Sequence, residues 1–317
     1  YSEVLSIYLA HKFFGTMREL SLKDLFDGNF YHVSTEGLEQ VTLLKDEEDY
    51  RIAWNYLALV AWRTGVDVVA FVLMSNHIHT LLACRDIIKA QKAIKLFKQL
   101  LSTYLRNKYG VSHILHNSSD SISLIDSIKY LRNCIAYIFR NPISARICVK
   151  PEEYNWSSYH SCLKPVPTSE NARKISDLKY RERRQVMHTS RDMSKCPLCV
   201  DDRGYVTLDS FVRNDIVSNA FLNSGKVLMY HLGSCNDAKT EYELIYKPMM
   251  QATDNDMYDA VSKLVAMRFR NKAISDLTTA EKCSILKSLF FNHKTTVHQI
   301  SRIIGLPREL VRKMLSQ

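Results

Sequence analysis

The sequence has no run of eighteen apolar residues, which argues against a membrane-spanning helix. Its first residues also lack the charged-then-apolar order of a secretory signal, so nothing in the sequence argues for export. A second CxxC pair at zinc-finger spacing is missing beside Cys196-Pro197-Leu198-Cys199, which argues against a structural zinc. The eight cysteines lie mostly inside apolar patterns, as in reduced intracellular proteins, and we expect a cytoplasmic location.

Acidic residues are in deficit relative to basic ones. The chain has 43 Lys and Arg against 33 Asp and Glu, a net charge of +10. Such a balance favours a polyanionic partner through counterion release, although many basic proteins bind no nucleic acid. Aromatic side chains among basic ones suit the stacking of unpaired bases, but most of the 17 tyrosines are expected to be packing residues.

Two histidines, His77 and His79, stand two residues apart at the end of an apolar run. Alternate residues of a β-strand project from the same face, so both imidazoles would point together while Ile78 packs behind them. This arrangement is half of a metal site. The other interpretation is two polar residues at a strand end, and the spacing alone leaves both open.

The hydrophobic pattern predicts a β-α-β-β-α order with a short returning strand over residues 121–125. Long helices are expected over residues 46–63, 86–109 and 126–141, the last capped by Asp126 and closed by Pro142. This order predicts an α+β fold of the ferredoxin-like, split β-α-β type, in which an antiparallel sheet carries helices on one face. A mainly α region follows it.

A chain of 317 residues exceeds what one compact core usually holds, so several units are expected. We divide the sequence into a helical extension (1–27), the α+β unit (28–165), a basic linker (166–204), a mixed segment (205–250) and a helical region (251–317).

Two further features of the α+β unit bear on function. Tyr137 and Asn141 are four residues apart and share one face of the third helix, where Tyr137 could equally be a packing residue. The second helix has a basic outer face, which suits phosphate contacts or is simply solvated; it consists of Lys89, Lys92, Lys95 and Arg106, with Lys98 at its margin.

The helical region predicts a helix-turn-helix. One short helix ends at Gly305 and the next begins at Pro307, with apolar positions where two such helices pack together. Residues 251–317 contain eleven Lys/Arg and six Asp/Glu, or 11 − 6 = +5, which fits DNA binding, against a plain helical hairpin. The recognition helix would present Arg308, Glu309, Arg312 and Lys313.

Three motifs, taken together and in order, resemble the HUH single-tyrosine transposases of insertion sequences, and within them the REP-associated tyrosine transposases. The first is Asn76-His77-Ile78-His79 within residues 72–82. The second is Tyr137-Ile138-Phe139-Arg140-Asn141-Pro142, and the third is Tyr154-Asn155-Trp156-Ser157-Ser158-Tyr159. The opening Tyr31-His32-Val33 also fits, and the similarity spans about residues 28–160.

The resemblance implies a chemistry for these positions. His77, His79 and Asn141 would hold one Mg²⁺ or Mn²⁺, and Tyr137 would be the nucleophile. Tyr137 would attack a phosphodiester in single-stranded DNA, form a 5′-phosphotyrosine bond and free a 3′-hydroxyl, whose return attack rejoins strands without ATP. The helix-turn-helix would recognise duplex or hairpin DNA near the cut, and whether the chain works as a monomer or a homodimer is open.

Competing interpretations accompany this one. Tyr130, Tyr104 and Tyr109 are rival nucleophiles, although only Tyr137 has both the family context and a polar partner four residues on. A non-catalytic, domesticated DNA-binding regulator that reads hairpin DNA is the main alternative to the transposase. A His-x-His metallohydrolase without a covalent step is a third, but no carboxylate ligands support it.

Overall fold

A computed structural model describes residues 20–36, 42–110, 115, 119–162, 171–235, 240, 254–269, 272–292, 295 and 297–315. The chain divides into two compact units, one within residues 1–244 and one within residues 245–317. Helices are also expected before residue 20, a part of the chain outside the described residues. The first described helix is α1 (Leu22–Leu25). Within the described ranges, no helix is long and apolar enough to cross a membrane.

The first unit is built around a four-stranded antiparallel sheet of order β2-β3-β1-β4. Its strands are β1 (Asn29–Glu36), β2 (Asp67–Leu73), β3 (Ile78–Cys84) and β4 (Ser119–Ile125). Helix α2 (Glu47–Thr64) connects β1 to β2, α3 (Ile87–Tyr109) connects β3 to β4, and α4 (Ile128–Ser144) follows β4. The predicted α+β fold with an antiparallel sheet is confirmed.

Helices cover both faces of this sheet, so the expectation of helices on one face was wrong. Ile78 and Leu82 border the same buried cavity as Leu57 of α2 and Phe97 of α3. The alternate residue His79 points to the opposite face, where its ring meets α4. All seven residues of β3 are buried, and a strand that is apolar on both sides needs cover on both.

The ends of α2 and α3 follow from local chemistry. The carboxylates of Asp46 and Asp86 each accept a backbone N–H of the first helical turn, at 3.0 Å in both cases. Gly65 and Gly110 end the two helices with φ of +63° and +68°, a conformation that glycine adopts without steric cost. These boundaries agree with the sequence prediction.

Helix α4 departs from its predicted boundaries at both ends. Ser127, rather than Asp126, is the N-cap, because its hydroxyl accepts a backbone N–H of the first turn. Pro142 lies inside the helix, which continues to Ser144. A proline in the last turn removes only one backbone hydrogen bond, so the helix tolerates it there. Asn141 therefore stays helical.

Residues 171–213 pack on the outer side of α2 and along β2. They include β5 (Arg173–Lys174), α5 (Tyr180–Met187) and β6 (Cys199–Val200). The Trp54 indole donates to the Val206 carbonyl at 2.7 Å, and the Asn55 side chain accepts the Val206 N–H at 2.8 Å. These contacts explain why α2 is buried on most of its sides.

Two short helices, α6 (Asn214–Ala220) and α7 (Gly225–Ser234), cover the outer side of α4. Arg132 of α4 donates to the last carbonyl of α6 at 2.6 Å, and Arg140 donates to a carbonyl of α7 at 2.8 Å. Helix α4 is thus held between the sheet and a second helical layer.

The second unit contains α8 (Asp254–Arg268), α9 (Thr279–Asn292), α10 (Val297–Ile304) and α11 (Arg308–Leu315). Helix α11 packs on α9 and α10, and Gly305 turns the chain between α10 and α11 with a φ of +70°. The mainly helical character predicted for this region is confirmed. Its role as a DNA-binding helix-turn-helix stays a prediction.

A buried carboxylate joins the start of α2 to the end of α3. Asp49 is fully buried and accepts hydrogen bonds from Lys108, Tyr104 and Tyr109 at 2.8–2.9 Å, and from the Lys45 backbone at 2.7 Å. Burial by itself raises the pKa of Asp49, but these donors outweigh it and hold the pKa below its ordinary value of 3.8.

We predict that Asp49→Asn lowers the free energy of unfolding at pH 7 by about 1–3 kcal/mol, because the amide has no charge to pair with Lys108 and keeps only one of the two acceptor oxygens. A depressed carboxylate pKa stabilises the fold above the unfolded-state pKa, and this contribution is lost as pH falls through the folded-state pKa. The variant should therefore lose less stability below pH 4 than the wild type.

Urea unfolding between pH 2 and pH 7 measures both effects. Asp120→Asn is the matched control, because Asp120 pairs with Lys98 near the surface and should change stability by less than about 1 kcal/mol. Equal losses in the two variants would contradict a special role for Asp49.

Candidate metal and nucleophile centre

The two histidines of the His-x-His motif come together at the start of β3. Their rings lie 4.9 Å apart between centroids and are nearly perpendicular, at 77°. The turn before the strand is closed by a hydrogen bond from the Met74 N–H to the His77 carbonyl (2.9 Å), and the Ser75 carbonyl accepts two further backbone N–H groups. These backbone hydrogen bonds therefore fix the positions of the His77 and His79 Cα atoms, from which both imidazoles project.

Helix α4 brings Asn141 to the first of these histidines. The Asn141 side-chain oxygen is 3.1 Å from His77 Nε2, and His77 Nδ1 is 2.7 Å from the Asn76 side-chain oxygen. If Nδ1 carries the proton, it donates to Asn76, and the lone pair of Nε2 then faces the Asn141 oxygen. The tertiary fold thus joins the helix residue to the strand residue.

Tyr137 lies one helical turn before Asn141 and is buried. Its ring meets the edge of the His79 ring at 5.3 Å and that of the His32 ring at 6.2 Å, with interplanar angles near 80°. All these side chains belong to one chain. The fold of a single chain therefore brings the candidate nucleophile to the histidines.

A third histidine, His32, also belongs to this cluster, and sequence reasoning assigned it no role. His32 Nε2 is 3.2 Å from His79 Nδ1, and the two rings are stacked at 5.3 Å. The available signal was weak: His32 and Ser34 are polar residues at alternate positions of a strand that is otherwise apolar there. Their neighbours across the sheet could not be read from the sequence.

The electrostatics of the cluster keep its inner histidine neutral. Burial lowers the pKa of His79 well below its ordinary value of 6.5, and the neighbouring His77 and His32 lower it further. A neutral imidazole has one lone pair, which is the form that binds a metal ion. His79 is therefore a competent ligand at neutral pH.

The donor set can be tested against a divalent ion. His77 Nε2 and the Asn141 oxygen are 3.1 Å apart, close to the spacing of about 3 Å between neighbouring ligands of an octahedral ion with bonds of about 2.1 Å. No group of three or more His, Cys, Asp or Glu suited to a metal occurs among the described residues. The third protein ligand would therefore be the side-chain amide of Asn141. Two imidazoles and one amide oxygen are neutral donors that suit a divalent transition-metal ion, and the amide oxygen is also a ligand type used by Mg²⁺ and Mn²⁺.

The rival tyrosines lie elsewhere. Tyr104 and Tyr109 donate to Asp49, on the opposite side of the sheet from His79. Burial, together with the nearby Asp49, raises the pKa of Tyr109 to about 12, which disfavours its phenolate. Tyr130 is two turns before Tyr137 on α4, about 10 Å away along the helix axis.

The basic face of α3 borders a groove of about 870 Å³ on the α3 side of the sheet. Lys95, Lys98 and Arg106 line it, and Arg191 of the segment after β5 adds a fourth cation. Asp120 of β4 also lines the groove and pairs with Lys98 at 3.0 Å. Its described lining is therefore strongly basic.

The residues predicted for DNA recognition lie on α11 in the second unit. Arg308, Glu309, Arg312 and Lys313 are all exposed, while Val311 between them is buried in the core of that unit. Glu309 accepts a hydrogen bond from Arg312 at 3.0 Å. The four side chains therefore form one exposed polar face.

Comparison with known proteins finds a family similar to part of the first unit. Residues 28–119 match the model of a family described as "Transposase IS200 like". This part contains His32, His77 and His79 and ends before Tyr137. No curated protein matches the sequence.

Among solved structures, the chain is similar to a REP-associated tyrosine transposase bound to a REP hairpin. The TM-score is 0.33 and the identity 15%, with 46% of this chain and 84% of that chain covered. At this level of similarity the match adds no weight to the family assignment. The match runs from just before β1 to the start of β4 and so contains the histidine motif, and this part of the chain is similar to the IS200-like transposases.

Proposed function

We propose that this chain is a metal-dependent transposase that cleaves and rejoins single-stranded DNA through a 5′-phosphotyrosine intermediate. One observation carries the proposal: Tyr137 and Asn141, one turn apart on α4, meet the His77 and His79 imidazoles within a single chain. The family match supports the transposase assignment, and the covalent step rests on these residues.

His77, His79 and Asn141 would hold the divalent ion, Mg²⁺ or Mn²⁺. When bound, such an ion polarises the phosphate and offsets the negative charge that builds in the transition state. The protein supplies a neutral His79 and an amide oxygen, both of which bind without first losing a proton.

Tyr137 would form the covalent bond. Its phenol oxygen attacks the scissile phosphorus, the bond to the 3′-oxygen breaks, and that oxygen leaves as a hydroxyl after gaining a proton. A phenol with a pKa of about 10 is mostly protonated at neutral pH, so it must lose its proton during the attack. The Tyr137 side chain is buried beside the histidines, so little of it is exposed to solvent.

Attack by a 3′-hydroxyl on the phosphotyrosine reverses the step and rejoins DNA. One phosphodiester is exchanged for one phosphotyrosine and back, so the cycle needs no external energy source. The same chain supplies both the nucleophile and the three candidate ligands. We therefore propose that the chain cuts DNA in cis, with no residue borrowed from a second copy.

Two basic surfaces would hold DNA. The groove beside α3 presents Lys95, Lys98, Arg106 and Arg191 but no aromatic residue among its described lining. Sites for unpaired bases usually combine cations with stacking aromatics, so this groove suits the phosphate backbone of a hairpin stem. The exposed face of α11 would read duplex or hairpin DNA as a recognition helix.

We predict a covalent adduct when the protein is incubated with hairpin-bearing single-stranded DNA and Mn²⁺ or Mg²⁺. Tyr137→Phe should abolish the adduct, because it removes the attacking oxygen and little else, while Tyr130→Phe should leave it intact. Denaturing electrophoresis of labelled DNA makes the measurement. An adduct that persists in Tyr137→Phe contradicts the nucleophile, and wild-type protein that binds hairpins without any adduct favours the non-catalytic regulator.

We predict that Lys95→Glu combined with Arg106→Glu weakens hairpin binding more than tenfold in about 0.1 M salt. Each lost phosphate contact should reduce the slope of log affinity against log salt by about one. Lys89→Glu combined with Lys92→Glu is the matched control, since it makes the same charge change on the same helix outside the groove. Equal losses in both pairs would show that net charge, and not the groove, binds the stem.

We predict that Arg308→Ala combined with Arg312→Ala lowers affinity for duplex or hairpin DNA and reduces the salt slope by about two. Both side chains are exposed on α11, so the second unit should keep its thermal unfolding temperature. Lys226→Ala combined with Lys263→Ala removes the same charge from exposed positions on other helices. If affinity and slope match those of the wild type, α11 does not bind the DNA.

A further inference from the structure

We propose that His32 is a positioning residue that sets the tautomer and orientation of His79 as a metal ligand. The proposal rests on the proposed metal site and assigns a role to a residue outside the three candidate ligands and the nucleophile. It starts from one contact, the 3.2 Å approach of His32 Nε2 to His79 Nδ1 between two buried side chains.

A neutral His79 carries one ring proton, and the contact allows two arrangements. In the first, His79 Nδ1–H donates to His32 Nε2, and the lone pair of His79 Nε2 is available to a metal. In the second, His32 Nε2–H donates to His79 Nδ1, and the proton of His79 then sits on Nε2, where it blocks coordination. Only the first arrangement makes His79 a ligand, so His32 must present an unprotonated Nε2.

The backbone around His32 suits this task. Strand β1 is central in the sheet, with β3 on one side and β4 on the other, and His32 is paired with Leu81 and Ser123 across these ladders. Its side chain is fully buried. A side chain fixed in this way cannot swing toward a different partner, so it restrains the His79 ring in one orientation.

His32 also contacts the nucleophile. Its ring stacks on His79 at 5.3 Å and meets the Tyr137 ring edge-on at 6.2 Å. The same residue therefore packs against both the candidate ligand and the attacking phenol, which also contact each other. Removing its nitrogen atoms while keeping a flat ring would test the hydrogen bond separately from this packing.

The experiment measures Mn²⁺ binding by the whole chain, without DNA, in His32→Phe and His32→Gln. Phenylalanine keeps a flat ring but offers no acceptor, and we expect Mn²⁺ affinity to fall about 10–100-fold, the usual effect of losing such a partner. Glutamine offers an amide oxygen as acceptor and should restore affinity to within about threefold. Titration calorimetry gives the affinities, and thermal unfolding without metal reports whether each variant folds.

Each outcome decides something. Unchanged Mn²⁺ affinity in a folded His32→Phe variant overturns the role of His32. Unchanged Mn²⁺ affinity in a His77→Ala variant overturns the proposed metal site itself. If His32→Phe does not fold, ¹⁵N spectra of the wild-type imidazoles decide. A proton on His79 Nδ1 and none on His32 Nε2 supports the proposal, and the reverse pattern overturns it.

Discussion

The register of β1 against β3 is the constraint on which the candidate centre depends. Ser34 stands opposite His79 across this ladder, and His32, two residues earlier, projects from the same face. The His32–His79 contact follows directly from that alignment. A slip by one residue would turn His32 toward α2 and α3, because side chains alternate between the faces of a sheet.

Helix α4 completes the centre from outside the sheet. Tyr137 and Asn141 face the histidines together because they are one turn apart, and the helix keeps that relation through Pro142 to Ser144. Two hydrogen bonds hold the outer side of the helix, from Arg132 to α6 and from Arg140 to α7. The position of the proposed nucleophile is thus set by residues far along the chain.

The two faces of the sheet carry different features, a histidine cluster on one and a basic groove on the other. The α4 face holds the three histidines and Tyr137, and the α2–α3 face is tied by the Asp49 cluster and bordered by the basic groove. Cations in the groove would act on phosphates through charge, whereas the proposed histidine centre would need fixed distances. Keeping them apart lets a basic surface exist without adding cations next to the neutral His79.

The local parts of this protein could be predicted from its sequence. Strand alternation put His77 and His79 together, and the spacing of four put Tyr137 and Asn141 on one face of a helix. Asp46, Gly65 and Asp86 set the helix ends. Each of these features depends only on residues within one or two turns. Contacts between distant parts of the chain could be known only from the tertiary structure. They are the packing of α4 on the second face of the sheet, the packing of residues 171–213 against α2, and the contact of His32 with His79. These contacts join residues tens of positions apart, and a periodic pattern shows only that a residue is buried, without showing which residue it meets. The sequence by itself placed His77 beside His79 and Tyr137 beside Asn141, and its resemblance to a known family named them as candidate ligands and nucleophile. Only the fold decided that His77 meets Asn141 and that His32 contacts His79.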